Sequence, residues 1–465
     1  MNTGAPPKRP LLDADRPSGR CGPCVSRRTA LGALAAGAAA LVAPGRWGLR
    51  AAPVRSYELV AEPARRSLLG ARPQWWLYNR SLPGPVIEAR EGEVVRIAFT
   101  NRLPEPTNLH FHGLHIPPQG RADNIYLDIP PGGRFLYEFQ LPPGSAGLYW
   151  YHPHRHRLVA RQMWRGLAGA LVVRGPDDAF PALAAFEERI VLLRDVALPE
   201  GELSPHGVRD WHKGKEGDWV VANGGIEPVF PVARGGVRLR LINASNARPL
   251  HLARGDGRPL AVAAVDGRLL PRPRMVASYL LPPAGRVDLL VPLGREEEVP
   301  LVALRYNRGV PSPRLRNRFL LALRGAGSGP PLPLPDRLPA PPPPPAPERA
   351  PERLALSMFF INGRSYRRER VDVRRRLGEV QLWRVENVGS MDHPFHLHTW
   401  PFYVLGSNRW PAPVAGWADT VNLRPGEVLE LLVPFVGYTG RTVFHCHVVE
   451  HADRGMMGTV EVVEG

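Results

Sequence analysis

His445-Cys446-His447-Val448-Val449-Glu450-His451, with Met456 five residues beyond, is the stretch around which the other chemistry of this 465-residue chain can be arranged. Three further His-x-His pairs precede it, at His110/His112, His152/His154 and His396/His398, and His393 stands just ahead of the last. Ten of the fifteen histidines therefore lie in four short segments. One Cys, two His and a Met form the donor set of a blue-copper electron-transfer site, because thiolate and thioether sulfur together with imidazole suit copper. Eight histidines are then left to hold further metal. Zinc usually takes four ligands, and twelve donors with a single thiolate argue against it.

The spacing divides the donors. On an extended strand, residues i and i+2 share a face and i+1 points away. If residues 445–447 are extended, His445 and His447 face one side and Cys446 the other. By the same parity His396 and His398 share a face, with His393 opposite. Two sites are expected: Cys446, His393, His451 and Met456 at one, and His110, His112, His152, His154, His396, His398, His445 and His447 at the other. The tripeptide 445–447 would join them covalently, a geometry for one-electron input at one centre and chemistry at the next.

These residues resemble the multicopper oxidases, in particular their bacterial, three-domain, laccase-like members. The matching segments are Asn108-Leu-His-Phe-His-Gly113, Tyr149-Trp-Tyr-His-Pro-His154, Asp392-His-Pro-Phe-His-Leu-His398 and His445 through Met457, with connecting text at 101–107 and 241–246. The resemblance runs from about Glu58 to the C-terminus. It implies a type 1 copper on His393, Cys446 and His451 with Met456 axial, and a type 2 copper on His110 and His396. It also implies a type 3 pair on His112, His152, His154, His398, His445 and His447, four copper ions in all. The axial Met implies a low-to-intermediate redox potential. A lone His-x-His is more often an ordinary histidine; four in family order are not. Met457 reads as core packing, since Met fills irregular gaps. His115, His156, His206, His212 and His251 fall outside the ligand positions, with His115 and His156 expected at most to line the site.

The fold class expected is all-β, with three cupredoxin-like Greek-key sandwiches. Length allows about three ordinary domains. Abundant Pro and Gly between short Val/Leu-rich runs suit sandwiches with many turns. Residues 94–100, 169–174, 188–193, 237–242 and 287–291 read as strands. The expected divisions are domain 1 at 53–178, domain 2 at 179–325, a Pro-rich extended spacer at 326–352 and domain 3 at 353–465. The resemblance implies that domains 1 and 3 carry the ligands and meet at the eight-histidine cluster, with none from domain 2.

Residues 1–52 read as an export signal. Ser26-Arg27-Arg28-Thr29-Ala30-Leu31 is a twin-arginine pattern ahead of a small-residue apolar run too short to span a membrane, and Ala51-Ala52 is a candidate cleavage point. A periplasmic or secreted protein without stable membrane insertion is expected. Cys21 and Cys24 belong to this segment, so Cys446 would be the single cysteine of the mature chain, with no disulfide available. The formal net charge is +17; the eight basic and two acidic residues of 1–52 leave +11 for the rest. That balance could favour anionic substrates or surfaces, but no aromatic-interleaved basic motif for nucleic acid is present. A monomer is expected, there being no coiled-coil pattern.

The activity implied is one-electron oxidation of a reductant coupled to reduction of dioxygen to water. Protons for water call for a carboxylate relay. Relatives often carry Glu directly after the last type 1 histidine, where this chain has Ala452. Asp123 matches the other acidic position, with Glu450 as a substitute. Arg157 stands where the family usually has Gly and is expected to affect only its loop. Phenols or aromatic amines are the expected donors. A metallo-oxidase for cuprous ion is the alternative, typically marked by Met-rich segments, but the chain has only seven Met and residues 305–318 are basic and Met-free. A non-enzymatic member of the fold would lack several ligands, whereas all twelve positions are filled here.

Overall fold

The computed structural model describes residues 52–311, 315–347, 350–409 and 415–465. The twin-arginine segment with Cys21 and Cys24 lies outside them, as do residues 312–314 of the basic loop.

Six sheets form three face-to-face pairs, each built from one contiguous stretch of chain. In the first pair, a sheet ordered Gln74–Tyr78, Val54–Arg65, Val94–Asn101, Arg134–Gln140 covers a second ordered Gly84–Arg90, Gly169–Arg174, Gly147–His152, His110–His112. Val95, Ile97, Phe99 and Tyr137 from one sheet meet Ile87, Phe111, Tyr151 and Val173 from the other in a common core. The strand Val94–Asn101 alternates buried and exposed residues, as a sheet with one wet face requires. Residues 187–325 supply a seven-stranded and a five-stranded sheet, and 352–463 a six-stranded and a five-stranded one. The chain is all-β, with crossovers between non-neighbouring strands of the Greek-key kind. Each strand read from the sequence lies within an observed one.

In the middle stretch, Gly236–Asn243 is buried along its whole length, because both of its faces are covered. Its two arginines must therefore be paired internally. Arg240 donates to Glu188 at 2.8 Å and lies 3.1 Å from Asp288, which Arg238 also engages. The Pro-rich segment, expected as an extended spacer, forms no helix or strand in its described residues before Glu352, and it is docked rather than free. Leu338 packs with Leu183, Phe186 and Leu290, and the Pro342 carbonyl accepts from Trp417 Nε1 at 2.8 Å. Among the described residues no helix is long and apolar enough to cross a membrane.

Candidate metal centre

Strand His393–Leu397 lies between Thr420–Leu423 and Gly440–Cys446, with His396 opposite His445 and Phe395 opposite Cys446. That register puts His396 and His445 on one face and His393, Phe395 and Cys446 on the other. On the second face, Cys446 Sγ is 3.5 Å from His393 Nδ1 and 3.9 Å from His451 Nδ1. His451 is carried by the short helix Val449–Asp453, and the Val448 N–H donates to Sγ at 3.4 Å. Met456 is fully buried in the core that holds Cys446, and its carbonyl accepts the Cys446 N–H at 3.1 Å.

On the first face the other eight histidines converge, all buried. His110 stacks on His398 with centroids 3.8 Å apart and His112 on His396 at 3.7 Å, so the edge strand His110–His112 meets the 352–463 stretch ring to ring. His445 Nε2 lies 3.2 Å from His154 Nε2 and 3.1 Å from His398 Nε2. His152 is opposite His110 in the sheet, and its ring lies 5.5 Å from that of His447. Donor nitrogens of His110, His396 and His398, of His110, His112 and His152, and of His154, His398 and His445 form three tight groups; His393, Cys446 and His451 form a fourth.

Four of these rings are anchored to an aspartate or a backbone carbonyl through one nitrogen and leave the other without a protein partner. His110 Nδ1 bonds Asp123, His112 Nε2 bonds Asp419, His152 Nδ1 donates to the Pro153 carbonyl and His396 Nδ1 to that of Asp419. Their opposite nitrogens, His110 Nε2, His112 Nδ1, His152 Nε2 and His396 Nε2, are buried and unpartnered. Holding a ring by its far nitrogen is how proteins set tautomer and direction in metal-binding histidines. Burial lowers the pKa of His110, His112, His154, His398 and His447 well below the usual value, and that of His152 and His445 to about 3. They are neutral near pH 7 and present lone pairs, the form a cation needs. Burial also pushes the Cys446 thiol up to about 12, so only a bound soft cation would expel its proton at neutral pH. The donor set fits copper.

Several residues of the site had no signal in the His-x-His spacing. Asp419 accepts from His112 Nε2 at 3.0 Å, and Thr420 Oγ1 lies 3.1 Å from the same nitrogen. Burial opposes the charge on Asp419, but Arg286 grips the carboxylate with both terminal nitrogens, 2.7 and 2.5 Å, and holds its pKa well below the ordinary range. Asp266 accepts the backbone N–H groups of Asp419, Thr420 and Arg286. Residues 187–325 thus contribute no histidine to the cluster but brace it. The glycine of Asn108-Leu-His-Phe-His-Gly113 also has a reason to be one: its φ is +86°, and a Cβ would collide with Arg286 and Asp419. Asn108 accepts the His154 N–H at 2.7 Å, tying two histidine motifs together.

Asp123 touches the cluster. It meets His110 Nδ1 at 2.9 Å, accepts the Phe111 N–H, and is pushed up to about 8 by burial. Glu450 is turned elsewhere, bonding His206 Nε2 at 3.0 Å and Asn246 at 2.8 Å, with no hydrogen bond to any cluster histidine. Met457 packs against Ile125 and Val443. His115 bonds the Thr399 carbonyl, and His156 lies edge-on to Tyr366. The His451 Nε2–H donates to the His212 carbonyl at 3.1 Å, so the helix Val208–Lys213 covers that histidine.

Comparison with known proteins agrees with this geometry. Multicopper oxidase family profiles match residues 61–178 and 339–465. The cell division protein FtsP of Pectobacterium atrosepticum is 31% identical over 83% of this chain and 85% of its own length. Among solved structures, a metallo-oxidase of Campylobacter jejuni superposes with a TM-score of 0.80 at 29% identity, over 89% of this chain and 94% of the other. A laccase-like multicopper oxidase of the lignin-degrading bacterium Ochrobactrum sp. gives 0.78 at 28%, over 89% and 100%. With two profiles spanning more than half its length and a sandwich architecture shared with solved relatives, the chain belongs to the multicopper oxidase family.

Proposed function

We propose that the chain is a laccase-like oxidase that takes electrons singly from phenols or aromatic amines and passes them to dioxygen, forming water. In this reading His393, Cys446 and His451 with Met456 hold a type 1 copper, His110 and His396 a type 2 copper, and His112, His152, His154, His398, His445 and His447 a type 3 pair. The four coppers would supply the one-electron redox chemistry and the place where oxygen is reduced. The chain supplies the rest. Residues 445–447 make a covalent bridge between the two donor groups, shortened by the bond from His445 Nδ1 to the Cys446 carbonyl at 2.9 Å. Full burial of both groups keeps bulk water from them. Asp123 fixes the His110 ring and is a carboxyl group within reach of the cluster for proton delivery.

The observation that carries this reading is the complete, buried donor set. A metallo-oxidase acting on cuprous ion is the second reading, favoured by the likeness to the Campylobacter jejuni enzyme. Seven Met in the whole chain, with none clustered beyond Met456 and Met457, favour the aromatic donor. A non-enzymatic role gives no reason for twelve buried donors. Oxygen uptake by the copper-loaded protein decides: uptake is expected with a phenol, whereas uptake with cuprous ion alone would make it a metallo-oxidase and uptake with neither would remove it from the oxidases. Asp123→Asn should slow turnover by roughly 10- to 100-fold while the blue absorbance stays, since the carboxyl acts through His110 and not at Cys446. An unchanged rate would refute its role.

A further inference from the structure

We propose that a cleft beside the helix Val208–Lys213 binds an anionic aromatic reductant, such as a phenol bearing a carboxylate or sulfonate, and that Arg157 selects it. This rests on the oxidase reading above and names its substrate class. The cleft has a volume of about 380 Å³, and its wall includes Arg157, Arg161, Trp164, Arg165, His206 and Trp211. That volume suits one small aromatic molecule. Trp211 is half-buried and offers an indole face for ring stacking, whereas Trp164 is buried beneath Lys215, and guanidinium groups bind carboxylate or sulfonate through paired N–H donors. Arg161 is neutralised by Glu105. Among the described contacts, the Arg157 guanidinium has no carboxylate partner, while Arg165 lies over the Trp76 ring at 4.8 Å and interacts electrostatically with Glu202. Of the three cleft arginines, Arg157 is therefore the one left with uncompensated positive charge, which repels cuprous ion and attracts an anion.

Arg157 carries a second sign of purpose. Its φ is +70°, in the left-handed region where glycine costs least. The chain keeps an arginine there despite that strain, at the wall of the cleft. On this proposal Arg157 does more than shape its loop: it helps to choose the donor.

The back wall of the cleft reaches the electron-accepting end by two short routes. The His206 ring is 4.9 Å from that of Trp211 and bonds Glu450, the neighbour of His451. Trp211 precedes His212, whose carbonyl accepts the His451 Nε2–H at 3.1 Å. A donor stacked on Trp211 gives up one electron and its phenolic proton and leaves as a phenoxyl radical with its acid group intact. Four such losses supply the four electrons and four protons that convert dioxygen to two waters.

The test uses para-methoxybenzoate, which has no phenolic proton to lose, and neutral para-methoxybenzyl alcohol, each titrated calorimetrically into copper-loaded and copper-free protein. The benzoate should bind about tenfold more tightly than the alcohol in both forms, and the preference should vanish in Arg157→Gly and Arg157→Gln. Arg157→Gly relieves the backbone, so misfolding is not the expected cause of a loss. The kcat/KM ratio of para-hydroxybenzoate to para-hydroxybenzyl alcohol should fall about tenfold in parallel. Equal binding of the two probes, or a preference that survives both substitutions, overturns the proposal while leaving the oxidase reading standing. Arg157-dependent binding in a protein that oxidises no phenol upholds the cleft and overturns the oxidase reading instead.

Discussion

Cys446→Ser should abolish donor-driven oxygen uptake and the blue colour while leaving the fold intact. The thiol is fully buried, accepts one backbone N–H from Val448 and lies within 4 Å of two imidazole nitrogens. A serine hydroxyl occupies nearly the same volume and can accept the same N–H, so packing around Phe395, Phe444 and Met456 is retained. What changes is ligand chemistry: the hydroxyl is hard and far less acidic, and copper with imidazole neighbours prefers soft thiolate. Turnover with a phenol should fall on the order of 10³-fold or more, equivalent to about 4 kcal/mol of barrier. Bound copper should drop by about one per chain, because only the site containing the sulfur is disturbed. Denaturant unfolding of the metal-free variant should move by less than about 1.5 kcal/mol. A variant that keeps a tenth of the wild-type rate would show that electrons do not enter at Cys446.

The reach of sequence reading here follows from how local each feature is. The partition of histidines into two faces depends only on strand parity within a few residues, and the register His396 opposite His445 places them as parity requires. The sandwich architecture follows from alternation within strands and turn residues between them. Asp419 was not legible because nothing in Trp417-Ala-Asp-Thr-Val421 marks it. Its meaning comes from Arg286, 133 residues away, and from Asp266, 153 residues away, brought together only by packing of the 187–325 stretch on the 352–463 stretch. The cover on His451 by the His212 carbonyl is a backbone contact, which side-chain identity does not encode. The Pro-rich segment was read as an extended spacer. Its docking through Leu338, with Leu332 and Leu334 beside it, was missed because a few leucines scattered among prolines carry no helix or strand periodicity.

Arg286→Met should cost about 3–5 kcal/mol of stability and reduce the copper content of the histidine cluster, a combination that no other braced pair here predicts. Arg286 is fully buried and faces two carboxylates, Asp419 at 2.5 Å and Asp266 at 3.3 Å. Met fills much of its space, so the loss is electrostatic rather than a cavity. Removing the guanidinium leaves Asp419 buried beside Asp266 without the cation that outweighs its desolvation, and the carboxyl group then gains by taking a proton. A protonated Asp419 no longer accepts unambiguously from His112 Nε2, so that ring loses the hydrogen bond which directs Nδ1 toward the cluster. Loss of such an outer partner typically weakens metal binding by about 10- to 100-fold. The double replacement Arg286→Met with Asp419→Asn should be less destabilised than the sum of the two single changes, because the stranded charge that dominates the first is absent. Chemical denaturation with copper analysis on the three variants measures both effects. Additive losses would mean that Arg286 stabilises the protein by packing alone, and undiminished copper in Arg286→Met would mean that Asp419 does not set the His112 ring.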